Sequence, residues 1–273
     1  MTISSVLTAP ARPTDAGVER ARYALVVSSD AEHREAAQRL RYRVFAGEPG
    51  FSIPDTGTGL DADRFDDFCD HLLVRDEASG EYVGCYRMLP PDRAAAAGGY
   101  YTATEFDLSA LDPHGNRIVE MGRACVLPEH RNGSVVTLMW AGILHYIQLT
   151  GHEWVMGCVS VPMRDKPEDA AGMNVRGVRD LVLAKHASTP ERRVRPYHPV
   201  VVDGLALDEL PAPRRAKLPP LMSGYLRLGA EVCGEPAHDP DFAVADFVVQ
   251  LGLSTINTRY LNRLQDAAAG FGG

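Results

Sequence analysis

The chain has 273 residues, with 36 acidic residues against 28 Lys and Arg, a formal charge of −8 and a pI near 5.6. That balance excludes a general nucleic-acid binder, whose footprint is basic, while 45% hydrophobic residues suffice for a substantial core. Five widely spread cysteines, odd in number and without a CxxC, argue against a disulfide framework or a zinc site and fit buried thiols in a reducing compartment.

In chain order, residues 1–22 read as a disordered tail rich in Pro, Ala and Thr. The tail lacks the apolar h-region of a signal peptide, and no apolar run reaches membrane-spanning length. The expected location is the cytoplasm, with contact at the inner membrane surface left open. Residues 23–273 are expected to form one α/β domain with an insertion at about 162–218. YALVVS (23–28) reads as a strand, and Ser29 with Glu32 as an S-x-x-E capping box that opens a helix. That helix puts Ala36, Leu40 and Val44 on one face. Residues 46–69 have no helical period and are densely acidic. HLLVRD (71–76) and YVGCYRML (82–89) flank Glu77–Gly80, a hairpin signal. A helical patch at 103–111 and a strand at 118–126 are expected next.

SVVTLMWAGILHYIQL (134–149) is apolar almost all round, so it predicts a helix packed deep in the core and stopped by Gly151. WVMGCVSV (154–161) predicts a strand. A helix is expected near 176–186, strands at 225–232 and 241–251, and a terminal helix at 254–264. No internal repeat is visible. The order predicts one mixed sheet with helices on both faces.

Several segments carry more charge than packing requires. Glu120 and Arg123 sit three apart in an apolar strand, which predicts that they point to opposite faces. Each then needs its own partner, since an unpaired buried charge costs several kcal/mol. A structural ion-pair network and a catalytic constellation fit equally. Residues 126–134 join that strand to the apolar helix. Unsatisfied N–H groups at the helix start, with Arg131, suit an anion such as a phosphate; an ordinary turn is the plain alternative. The acidic loop suits a cationic small molecule or simply solvent. It is not a calcium loop, because the glycine and glutamate required at the sixth and twelfth positions from Asp61 are absent. Residues 176–217 hold the basic counterpart, densest at Arg192, Arg193 and Arg195, which suits an acidic partner or an anionic surface. No HExxH, GxSxG, Walker A or GxGxxG occurs, and Cys158 in its apolar strand reads as a packing thiol.

Taken together, residues 23–265 resemble the GNAT-like acyltransferases that use acyl carrier protein, most of all the ornithine-lipid N-acyltransferases and more distantly the acyl-homoserine-lactone synthases. Arg41, Phe45 and Phe51 follow the synthases' Arg–Phe–Trp spacing, with Phe in place of Trp. Asp63 and Asp66 match their paired aspartates, Arg87 their Gly-x-x-Arg strand, and Glu120 with Arg123 their Glu-x-x-Arg. DHLLV (70–74), YTATEFDL (101–108), EMGRACV (120–126), GCVS (157–160) and LPPLMSGYLRLGAEVCGEPAHDPDF (218–242) favour the ornithine branch. The resemblance implies a GNAT-type, mostly antiparallel mixed sheet and transfer of a fatty acyl or 3-hydroxyacyl group from a thioester to an amine. Glu120, Arg123 and Arg87 would be catalytic, with Glu120 as general base. Arg41, Phe45, Phe51, Asp63 and Asp66 would bind the acceptor, an amino acid such as ornithine. Arg131, Asn132, Gly133 and Ser134 would bind phosphopantetheine. Arg192, Arg193 and Arg195 would dock an acyl carrier protein. No metal and no resident cofactor are implied. The alternatives are a CoA-dependent enzyme acylating another small amine, and a non-catalytic acyl-binding or membrane-active protein.

Overall fold

The computed structural model describes residues 7–10, 21–48, 57–111, 117–131, 133–257, 259 and 262. In chain order the elements are β1 (Leu7–Pro10), β2 (Ala21–Ser28), α1 (Ala31–Phe45), β3 (Asp70–Asp76), β4 (Tyr82–Leu89) and α2 (Pro91–Ala96). Then come β5 (Phe106–Asp107), β6 (Ile118–Val126), α3 (Ser134–Thr150), β7 (Trp154–Pro162) and α4 (Met173–Lys185). The rest are β8 (Arg195–Pro196), β9 (Val201–Val202), β10 (Leu205–Ala206), α5 (Pro220–Leu228), β11 (Glu231–Val232), β12 (Ala237–Asp239) and β13 (Val244–Gly252). One mixed sheet runs β1-β2-β3-β4-β6-β7-β13-β11, with β12 also on β13. All its pairings are antiparallel except β6 with β7. No helix among the described residues is long and apolar enough to cross a membrane.

The parallel pair is the point on which the site depends. β6 and β7 pair only at Ile118–Trp154, Val119–Val155 and Glu120–Met156. Past those residues the strands part, although β7 stays paired to β13 along all nine residues. Gly157 stands at the fork, where a side chain would overlap the Met121 carbonyl. On its other edge β6 carries a bulge against β4, where the register shifts between Cys85 and Arg87. Arg123 in the bulge has φ 54, a conformation that non-glycine residues seldom adopt.

The helices divide between the two faces. Gly84 of β4 faces Val135 and Met139 of α3, whereas Arg87, an odd number of residues along, turns to the loop that follows α1. α3 is buried along most of its surface, with Val136, His145, Gln148 and Leu149 left exposed. Leu138, Ile143 and Ile147 are almost wholly buried in a core that also holds Leu25, Leu72 and Phe247.

Several expectations are corrected. The cap of α1 is Asp30, without a side-chain cap bond. The third helical position is therefore His33, so Ser29 and Glu32 form no capping box. Residues 103–111 hold no α-helix, but 3₁₀ turns at Thr102–Thr104 and 109–111 on either side of the short β5. Residues 225–232 are mostly not strand: Pro220 opens α5 with its fixed φ, and Met222, Tyr225 and Leu226 bury one helical face. Leu7–Pro10, assigned to the disordered tail, pairs with β2, whose free edge offers a ladder to an extended segment. The expected terminal helix lies largely outside the described residues.

Candidate active site

The acidic loop and three arginines form one ion-pair network. Arg41, from the buried face of α1 and 1% exposed, donates to both oxygens of Asp66 at 2.9 and 2.8 Å and to Asp61 at 2.8 Å. Arg87 donates to Asp63 at 2.6 Å and Asp66 at 3.1 Å. Arg123 reaches Asp63 at 3.3 Å and lies 3.4 Å from Asp61. Burial by itself would raise the Asp66 carboxyl, but hydrogen bonding and charge from Arg41, joined by Arg87, hold it far below the ordinary carboxylate range. Three aspartates thus neutralise three arginines within the protein. Arg41, Asp63 and Asp66 stand behind the cavity described below and do not line it. Phe45 does line it, while Phe51 lies outside the described residues.

Glu120 and Arg123 do not diverge as their spacing predicts. Arg87 faces Gly122 in register, which puts Glu120, two residues away, on the same face as Arg87. The bulge then turns Arg123 onto that face, where it shares Asp63 with Arg87. Glu120 is 5% exposed, and its two oxygens accept the backbone N–H groups of Tyr101 and Thr102, each at 2.7 Å. Burial pushes the Glu120 carboxyl up, against those hydrogen bonds. It fastens the 101–102 turn over the fork, and the Tyr101 ring packs 5.1 Å from the Arg123 guanidinium.

A cavity of about 960 Å³ runs through the fork. Its apolar part is lined by Tyr86, Val136, Met139, Trp140, Leu218 and Leu221. Tyr225 closes that side from behind, edge-on to Trp140 at 5.2 Å and hydrogen-bonded to the Tyr86 hydroxyl. The polar part is lined by Arg87, Tyr101, Glu120, Arg123, Ser160 and Asp246. Cys158 also lines it, and burial pushes its thiol well above the usual range, so it stays protonated.

One group of residues here has no sequence signature. Glu105, Asp239 of β12 and Asp246 of β13 each place an oxygen within 4.8 Å of the others. Asp246, 4% exposed, accepts from the Ser160 hydroxyl at 2.6 Å. Asp239 accepts from the N–H groups of Asp241 and Phe242 at 2.9 and 3.2 Å. Burial raises all three carboxyls, and neighbouring negative charge raises them further. The spacing suits a shared proton or a small cation such as an ammonium group.

At the open end of the fork, Gly133, with φ 89, caps α3, and it and Arg131 line the cavity. Arg131 holds Glu48 at 2.6 Å and the Val126 carbonyl at 3.0 Å while remaining 42% exposed. Ser134 begins the helix, and Asn132 lies outside the described residues. Lys166 and Lys217 line the same mouth, with Arg215 beside Lys217. Arg192 is elsewhere. It lies over Trp154 at 5.5 Å and binds Glu231 at 2.8 Å, at the closed end of β7. Eight residues of strand, roughly 26 Å, separate that end from the open one. Arg193 and Arg195 are exposed in the same segment.

A mixed sheet forked at its one parallel pair, with a cavity through the fork, is the architecture of a GNAT-type acyltransferase, and the profile of the acetyltransferase (GNAT) domain matches residues 40–141. The chain is 37% identical over 242 residues to the L-ornithine N(α)-acyltransferase of Rhizobium meliloti (strain 1021), covering 84% of this chain and 79% of that one. It belongs to the L-ornithine N(α)-acyltransferase family. Among solved structures, FeeM, an N-acyl amino acid synthase from uncultured soil microbes, superposes with a TM-score of 0.50 at 11% identity, covering 88% of this chain and 97% of its own. The CoA-dependent acyl-homoserine lactone synthase BjaI gives 0.47 at 14% identity, with 88% and 83% covered.

Proposed function

We propose that the protein moves a fatty acyl group from a phosphopantetheine thioester to the α-amine of L-ornithine, forming the amide of an aminolipid. The observation that carries this reading is the cavity through the β6–β7 fork, apolar on one side and lined by arginine and carboxylates on the other. The apolar side takes the acyl chain. The thioester carbonyl lies at the fork, where the parted edges of β6 and β7 offer backbone N–H groups to the oxyanion. The acceptor's carboxylate meets Arg123 where it lines the cavity, and its amines face Asp246. Arg41, Asp61, Asp63 and Asp66 hold Arg87 and Arg123 in place, and Glu120 holds the turn above them.

The donor's phosphate sits at Arg131, Gly133 and Ser134, where the α3 N-terminus favours an anion. An acyl carrier protein, being acidic, then docks at the same mouth on Lys166, Arg215 and Lys217. This replaces Arg192, Arg193 and Arg195, which stand at the closed end. The protein works from the cytoplasm and delivers an amphiphilic product to the membrane surface.

Purified protein incubated with acyl-carrier thioester or acyl-CoA and a panel of amino acids is expected to yield N-acylornithine by mass spectrometry, with faster turnover from the carrier. No amide with either donor would sink the reading. Equal use of acyl-CoA would remove the carrier from it.

A further inference from the structure

We propose that Asp246 is the general base of the amide-forming step, taking the proton of the acceptor ammonium while Glu105 beside it steadies the carboxylate through a shared proton. The inference rests on the acyl-transfer reading and names a residue for its chemistry.

The geometry separates two carboxylates of the cavity. Glu120 has both oxygens committed to backbone N–H groups at 2.7 Å, so accepting a proton would break its hold on the 101–102 turn. Asp246 is held by a side-chain hydroxyl, Ser160, across the β7–β13 register, and it lines the cavity beyond the fork. Ser160 and Cys158 alternate on the face that also carries Asp246, and Cys158 contacts Thr102 of the turn, 3.6 Å away. The carboxylate therefore looks across the gap where the thioester is attacked. The titratable and charged groups facing it are Glu105, Asp239, Arg123, Tyr101 and Cys158. Burial raises the Asp246 carboxyl, Asp239 adds to the rise, and Ser160, Arg123 and Glu105 oppose it. Glu105 is raised more strongly and keeps its proton, so the pair titrates as a unit carrying one proton near neutrality.

The step balances. The acceptor enters as an ammonium and gives one proton to the Asp246 carboxylate. The neutral amine attacks the thioester carbon, so a C–N bond forms and the C–S bond breaks. The sulfur leaves with the second nitrogen-bound proton as a thiol. Asp246 then releases its proton to solvent, and the net products are amide, thiol and one proton.

The test is the pH dependence of kcat for ornithine acylation, with thermal unfolding as the fold control. Wild type is expected to lose rate on an acidic limb above the ordinary carboxylate range. Asp246→Asn is expected to lose ~10²-fold or more at pH 7. Its rate should climb about tenfold per pH unit towards the amine's own pKa, because only amine already neutral can react. Ser160→Ala, which removes a bond favouring the carboxylate, should move the limb to higher pH. Glu105→Gln keeps a donor and should retain the limb, whereas Glu105→Ala should displace it. A folded Asp246→Asn variant that keeps the wild-type limb overturns the inference, and so does an unmoved limb in Ser160→Ala. Loss of the limb in Glu120→Gln alone would give the role to Glu120. Wild type that makes no amide would fail the functional reading and this inference together, whereas amide formation with an Asp246-independent profile fails the inference alone.

Discussion

At the residue scale, buried charge in this protein is affordable only because it is shared. Asp66, 2% exposed, accepts from Arg41, Arg87 and Gln38 at once. Asp66→Asn leaves Arg41 with Asp61 alone and takes a charged partner from Arg87 as well, so it is expected to cost about 3–5 kcal/mol at pH 7, read from urea unfolding. The sign with pH follows from the depressed carboxyl. The stabilisation is complete above the unfolded value of about 4 and is lost as pH falls below it, so the gap between wild type and variant should narrow in acid. An unchanged gap at pH 3 would contradict this. Arg41, Asp63, Asp66, Arg87 and Arg123 were marked out in sequence by spacing that resembles the synthases', though not as one network: Arg41, Asp63 and Asp66 pair behind the cavity and do not line it. Asp246 was not marked out: it stands in Val-Ala-Asp-Phe-Val, and nothing local tells that Glu105, Asp239 and Ser160 gather round it. Those partners come from three other segments, and only the folded chain brings them together.

At the element scale, the β3–β4 hairpin, α3 and β7 match the sequence reading because each is specified by its own period and turn. α5 does not, because YLRLGAEV alternates like a strand while the deciding signal, Pro219-Pro220, lies upstream of it. The two strands of the fork were each legible, but the bulge that rotates Arg123 was not, since register belongs to the strand pair. Gly157 tests the fork. A methyl group there meets the Met121 carbonyl, a backbone atom that cannot swing aside. Gly157→Ala is expected to lower stability by roughly 1–3 kcal/mol and to lower kcat more than the KM for ornithine. A variant with wild-type kcat would show that the closeness of the strands at the fork is immaterial.

At the scale of the whole molecule, charge is segregated by place, which a count along the chain does not reveal. One of the two densest basic runs, Arg192 to Arg195, lies at the closed end, where Arg192 is held by Glu231 and Trp154. The mouth carries Lys166, Arg215 and Lys217, the last paired with Asp165 at 3.0 Å, on a protein of net charge −8. Reversing these three to Glu is expected to cut kcat/KM for the carrier thioester at least tenfold at low salt and to flatten its salt dependence, with less effect on kcat. The same reversal at Arg192, Arg193 and Arg195 should do less. The opposite ranking would return the dock to the closed end.

The protonated Cys158 thiol has a kinetic corollary. Among the described residues the thiols that line the cavity, Cys125 and Cys158, are held protonated, Cys125 by its Cys85 neighbour and burial and Cys158 by burial, and direct transfer between the two substrates is the expected course. Both must be present together, so initial-rate double-reciprocal plots should intersect rather than run parallel. No labelled acyl group should remain on the protein when the amino acid is withheld, and a stable acylated species isolated under those conditions would refute direct transfer.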